Sequence, residues 1–161
     1  MLAAFPDNMG KIFLSSDHAG FDLRTKVARH LAERQFAVDD RGPSTDIPVD
    51  YPDEAREVAQ LVRDTPDARG ILVCGSGVGM AIAANKVRGI RAVDAWTREV
   101  ARLSRQHNDA NVLCLGARVV PHDEALAIID TWLSTPFEAG RHFTRITKIA
   151  ALEAEESKRE T

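Results

Sequence analysis

A chain of 161 residues with 44% hydrophobic content has the length of one domain and enough apolar residues for a full core. Its formal net charge of −3, from 21 Lys and Arg against 24 Asp and Glu, offers no basic face and argues against nucleic acid as a partner. The sequence contains no run of about 18 apolar residues, which argues against a membrane span.

Residues 1–10, with Pro6 and Asp7, lack the basic-then-apolar pattern of a secretion signal and read as a flexible arm of a single domain over 1–161. The expected compartment is the cytoplasm. Residues 11–16 (Lys-Ile-Phe-Leu-Ser-Ser) form a first strand, followed by Asp17, His18, Ala19 and Gly20. Over 21–34, Phe21, Leu23, Val27, His30 and Leu31 recur at a loosely helical spacing with charges between them. A second short strand is expected at 36–38. Residues 43–52 carry Pro43, Pro48 and Pro52 and include Tyr51; the segment is too long for a simple connector and is a candidate site loop. A helix follows over 53–64, with Ala55, Val58, Ala59 and Val62 on one side, broken by Thr65-Pro66-Asp67.

The next stretch, residues 71–86, is the most informative. Ile71, Leu72 and Val73 read as a strand buried on both faces; then come Cys74 and the alternating Gly75, Gly77 and Gly79, and helix formers from Met80 to Ala84. A strand that passes through glycines into a helix leaves unpaired N–H groups aimed at one spot, which favours an anion there. Cys74 stands beside that spot as a nucleophile or base. Such loops also serve packing alone. The dinucleotide fingerprint Gly-x-Gly-x-x-Gly fails at Met80, and the Gly-Lys-Ser/Thr of a P-loop is absent.

A strand at 90–95 and a helix at 97–106 with Thr97 as N-cap come next; His107, Asn108 and Asp109 end that helix. A fifth strand covers 111–115 and leads to Gly116-Ala117-Arg118. Pro121 opens a helix to residue 132, and a last helix covers 143–157. Cys114, between Leu113 and Leu115, reads as a small buried hydrophobe; a disulfide with Cys74 is allowed by parity, although nothing points to secretion. Strand and helix alternate five times without a hairpin signal. The pattern predicts an α/β fold: a five-stranded parallel sheet with helices on both faces. Ligands gather at the carboxyl ends of such strands, where Asp17, His18, Cys74 to Gly79 and Arg118 all fall. His107 and Asn108 precede strand five, at the opposite edge, so a shared site needs a second copy of the chain.

Several motifs together resemble the type B ribose-5-phosphate isomerases and the related galactose-6-phosphate isomerase subunits. They include Ser-Asp-His-Ala-Gly at 16–20, Asp-Tyr-Pro at 50–52, Cys-Gly-Ser-Gly-Val-Gly at 74–79 and Ala-Ala-Asn-Lys at 83–86. Ser-Arg-Gln-His-Asn-Asp at 104–109, Gly-Ala-Arg at 116–118 and Gly-Arg-His-x-x-Arg at 140–145 continue the series in the family's order. The resemblance implies a Rossmann-like three-layer α/β/α sandwich. It further implies a homodimer or dimer of dimers with active sites shared between subunits, residues 143–157 at the interface, and no metal or organic cofactor. The implied reaction interconverts ribose 5-phosphate and ribulose 5-phosphate by proton transfer between C1 and C2.

Carried over residue by residue, the resemblance makes Cys74 the base. Some relatives carry Glu at the place of Met80 instead, and methionine cannot accept a proton. Amides of Gly75, Gly77, Val78 and Gly79 and the Ser76 hydroxyl would hold the enediolate oxygen. His107 suits ring opening, because an imidazole ordinarily exchanges protons near working pH; Asn108 would orient sugar hydroxyls. Asp17 would assist at the sugar oxygens and also cap the helix starting near Gly20. Arg141 and Arg145, four apart on one helix face, would fork onto the phosphate. His18 and Arg118 would join them, Arg118 from the neighbouring chain, and Tyr51 would border the sugar. His142 receives no role beyond its place next to Arg141. Galactose-6-phosphate isomerase subunits and a non-catalytic sugar-phosphate sensor are the rival readings.

Overall fold

The structure, a computed structural model, describes residues 10–159, so the expected arm lies outside the described residues except for Gly10. Strands β1 (Ile12–Ser16), β2 (Val38–Asp40), β3 (Arg69–Cys74), β4 (Ala92–Asp94) and β5 (Val112–Gly116) form one sheet in the order β2-β1-β3-β5-β4. Every pairing is parallel. The helices are α1 (Phe21–Glu33), α2 (Tyr51–Asp64), α3 (Val78–Ala84), α4 (Arg98–Asn108), α5 (His122–Ser134) and α6 (Arg141–Arg159).

The apolar runs of β1, β3 and β5 suit strands covered on both faces. Ile12, Leu14, Ile71, Val73, Leu113 and Leu115 pack against Leu23 and Val27 of α1, Ala101 of α4 and Ile129 and Trp132 of α5. The alternate residues Phe13, Leu72, Cys74, Val112 and Cys114 pack against Val58 and Ala59 of α2 and Met80 and Ala84 of α3. Three layers result, as the alternation of elements predicts. Helix α6 stands outside them, packed on α4 and exposing Phe143, Ile149 and Leu152.

Several boundaries differ from the sequence reading, each for a local reason. β2 starts at Val38 because Gln35 takes φ 64° and the Phe36 N–H returns to the Leu31 carbonyl at 3.1 Å, completing the end of α1. β4 is shorter than 90–95: the Ile90 N–H bonds Val87 and the Arg91 N–H bonds the Asn111 side chain at 2.8 Å. α2 starts at Tyr51, since Pro52 lacks the N–H that a first turn leaves unpaired anyway. Thr97 caps α4 as expected, accepting from the Val100 N–H at 3.2 Å, while Pro121 precedes α5 rather than opening it.

The disulfide that parity allowed does not form; both cysteines are free. Cys114 pairs with Leu72, two residues back from Cys74 on the neighbouring strand. Strand spacings of ~4.8 Å and ~3.3 Å per residue put their Cα atoms about 8 Å apart, beyond the reach of a disulfide without backbone movement.

Candidate active site

β3 ends at Cys74, and the chain turns through Gly75, Ser76 and Gly77 into α3. The Cys74 side chain is buried beneath that helix with Met80 and Cys114. Its Sγ accepts the Gly77 N–H at 3.1 Å, so the sulfur sits on the floor of the loop with an amide aimed at it. Gly77 makes this turn at φ 86°, and a Cβ there would collide with the Asp94 carboxylate and crowd the Leu115 backbone. The Ser76 hydroxyl accepts the Val78 N–H at 3.4 Å. The Tyr51 ring covers Gly79, where a Cβ would come within 2.7 Å of it. Tyr51 reaches the loop as the first residue of α2, not from within the proline segment.

The neighbouring strands supply the rest of this half. At the end of β1 the Asp17 N–H donates to the Val73 carbonyl at 3.2 Å, and the Asp17 carboxylate accepts the Gly20 N–H at 3.0 Å; this closes the turn before α1 rather than capping the helix, whose N-cap is Gly20 without a side-chain bond. His18 beside it is exposed. Beyond β5 the Arg118 N–H donates to the Gly75 carbonyl at 3.0 Å, and its guanidinium lies 3.4 Å from where a Gly75 Cβ would be. Arg118 therefore stands against the Cys74 loop of its own chain, at the opposite end of the sheet from His107.

A second half lies at the other end of the sheet. His107 and Asn108 occupy the last turn of α4. β5 then runs from Val112, beside Gly70, to Gly116, beside Cys74, so its length of about 13 Å separates the two ends. The His107 ring stacks on His142, 4.2 Å between centroids and 11° from parallel. Glu138 Oε2 faces both imidazoles, at 4.0 Å from His107 Nε2 and 3.8 Å from His142 Nε2. The Glu138 N–H donates to the Gln106 carbonyl at 3.1 Å, which ties this segment to α4. Arg141 and Arg145 follow one turn apart on α6, both exposed and without an acidic partner among the described residues. Burial first, and then the charges of His107, Arg141 and Arg145, lower the His142 pKa; only Glu138 opposes them.

Residues 12–149 match the family described as Ribose/Galactose Isomerase. The chain belongs to that family. It is 47% identical over 145 residues to ribose-5-phosphate isomerase B of Escherichia coli K12, covering 90% of this chain and 97% of that protein. It superposes on the ribose-5-phosphate isomerase B of Clostridium thermocellum with a TM-score of 0.89 at 48% identity, covering 91% of this chain and 99% of that one. The corresponding structure from Mycoplasma genitalium, with bound ribulose-5-phosphate, gives a TM-score of 0.87 at 44% identity, covering 92% and 99%.

Within this isomerase fold, Glu138 and Asp94 near the two halves escaped the sequence reading, and His142 was given no role. Glu138 and His142 meet His107 only through the packing of α6 on α4, a non-local contact without a sequence signal. Asp94, an acid closing an apolar strand, was visible as an anomaly. Its Oδ2 accepts the Trp96 indole N–H at 2.9 Å, and burial pushes its pKa up. His107, Glu138 and His142 each bring one ligand atom within 4.8 Å of the others, enough to consider a metal. The adjacent Arg141 and Arg145 oppose a cation there and favour an anion. A groove of about 630 Å³ between α2 and α3 reaches Tyr51 and Gly79, but neither Cys74 nor Ser76 lines it. No helix among the described residues is long and apolar enough to cross a membrane.

Proposed function

We propose that this chain is a ribose-5-phosphate isomerase with Cys74 as its base. The observation that carries the assignment is the Gly77 N–H on Cys74 Sγ at 3.1 Å. A hydrogen bond to the charged form favours a thiolate, and the same loop offers further donors to a developing oxyanion. The Mycoplasma genitalium relative with bound ribulose-5-phosphate, at 44% identity over nearly its whole chain, supports the substrate class.

In this mechanism His107 moves protons between the ring oxygen and O1 to open the sugar, and Asn108 and Asp17 orient its hydroxyls. The Cys74 thiolate takes the C2 proton. The C–H electron pair becomes the C1–C2 double bond, and the carbonyl pair moves onto O1. Loop amides from Gly75 to Gly79 and the Ser76 hydroxyl hold that charge; one such donor is worth roughly 10²- to 10³-fold in rate. The proton then returns to C1 while the O2 proton passes to O1, leaving ribulose 5-phosphate and a restored thiolate. Arg141, Arg145, His18 and Arg118 bind the phosphate, and Tyr51 borders the sugar. No cofactor takes part.

The two halves are completed by a second copy, which brings its α4 end and α6 to the loop of the first. Exposed Ile149 and Leu152, one turn apart, give α6 an apolar patch that a homodimer would cover. A direct assay tests the function: the protein is incubated with ribose 5-phosphate without added metal, and ribulose 5-phosphate is followed. Turnover is expected, together with loss of C2 proton exchange in Cys74→Ala while a phosphate analogue still binds. Tight binding without turnover in wild type would instead describe a sugar-phosphate sensor.

A further inference from the structure

Asp94 ends the edge strand β4 with its carboxylate turned inward. Oδ2 is taken by Trp96, but Oδ1 is buried without a hydrogen-bond partner among the described residues. That oxygen lies against Gly77, the residue whose N–H meets Cys74 Sγ. Asp94 pairs with Cys114, which in turn pairs with Leu72, two residues before Cys74. Asp94, Cys114 and Cys74 therefore share one face of the sheet beneath α3. A carboxylate here has the wrong sign for a loop that gathers negative charge. Conflicts of this kind concentrate at functional sites.

We propose that Asp94 is a positioning residue for the proton of Cys74: its carboxylate, packed on the Gly77 turn, holds the thiol in its protonated form and so sets the pH at which the isomerase base becomes available. The proposal rests on Cys74 being that base. A thiol kept protonated is also less open to alkylation and oxidation while the site is empty.

Cys114 stands between the two groups on the sheet. Its thiol is pushed well up, by burial first and then by the charges of Asp94 and Cys74. Asp94 is itself raised by burial, against the Trp96 hydrogen bond. The other groups facing Cys74 are few. Asp17, just past β1, already accepts the Gly20 N–H, and Arg118 beyond β5 places its cation over Gly75. α2 contributes Tyr51 over Gly79, and Glu54 bonded to the Ser15 hydroxyl. α3 carries no titratable side chain. A unit charge across the Gly77 turn, partly screened, displaces a thiol titration by about half to one pH unit.

The test compares wild type with Asp94→Asn, measuring iodoacetamide alkylation of Cys74 and kcat/KM for ribose 5-phosphate as functions of pH. Both the alkylation midpoint and the acid limb of kcat/KM should move down by about half to one unit, raising activity ~3- to 10-fold at the foot of the limb. The alkaline plateau should stay unchanged; a merely structural role would lower the plateau and leave the midpoints in place. Asp94→Val, a strand former without charge, should behave as Asp94→Asn does and serves if the amide disturbs folding. An unmoved alkylation midpoint in whichever variant folds overturns the proposal. A shifted alkylation midpoint with an unmoved kcat/KM limb overturns it through its premise, by rejecting Cys74 as the base.

Discussion

The imidazoles of His107 and His142 lie face to face, 4.2 Å apart and within 11° of parallel. Two imidazolium ions at that separation repel each other, and Arg141 and Arg145 add further positive charge next to His142. His142, buried on the α4 side of α6, is the ring that yields its proton. An NMR titration should place His142 below the ordinary imidazole range, and His107→Asn should raise it. An unchanged His142 titration in that variant would show that the stack carries no electrostatic coupling.

The same shift has a consequence for stability. Above the ordinary imidazole range, His142 is neutral folded and unfolded and contributes no slope. As the pH falls through that range, the unfolded chain takes up a proton that the folded chain resists, so stability is lost until the lowered folded pKa is passed. Thermal midpoints should therefore fall between about pH 7 and pH 5.5, less steeply in His142→Asn. Parallel curves for the two proteins would remove His142 from the acid sensitivity.

Gly77→Ala should damage both fold and activity. The residue sits at φ 86°, where a side chain costs roughly 1–2 kcal/mol, and its Cβ would strike Asp94. Adding Asp94→Gly relieves the collision but not the backbone strain. The expected result is a lowered melting temperature in Gly77→Ala, recovered only in part by the double variant. Full recovery would mean that the left-handed turn itself costs little.

Cysteine labelling should separate the two sulfurs. Cys114 is fully buried and its thiol is pushed up, whereas Cys74 lies at the loop with an amide on its sulfur. Mass spectrometry after iodoacetamide treatment should find Cys74 modified first, Cys114 modified only on unfolding, and Cys74 protected by ribose 5-phosphate. Equal labelling of both in the native protein would show that the space beneath α3 is open.

The layers and the Cys74 loop were legible in the sequence because they follow from local patterns. Apolar runs such as Ile71-Leu72-Val73 mark doubly covered strands, and alternating glycines before a helix mark a donor-rich turn. Edges were less legible, since β2 is displaced by two residues and β4 is shortened by helix-end and side-chain hydrogen bonds that propensity does not encode. Arg118 could be placed at the carboxyl edge of the sheet, but the packing of its guanidinium beside Gly75 had no local signal. Glu138 and His142 stayed hidden because the turn that carries them docks on α4 through the Glu138–Gln106 backbone bond, thirty-two residues apart in sequence.

Separating Cys74 from His107 by the length of β5 makes the site divisible between chains, and that can be read directly. Cys74→Ala and His107→Ala chains, each inactive alone, are mixed, unfolded and refolded together. If a site draws Cys74 from one subunit and His107 from the other, a mixed dimer has one site with both defects and one with neither. Random pairing makes half of the dimers mixed, so activity should recover to about a quarter of wild type. If each chain supplied both groups to its own site, every site in the mixture would carry one defect. Mixed dimers verified by native mass spectrometry yet without activity would therefore return the whole site to a single chain.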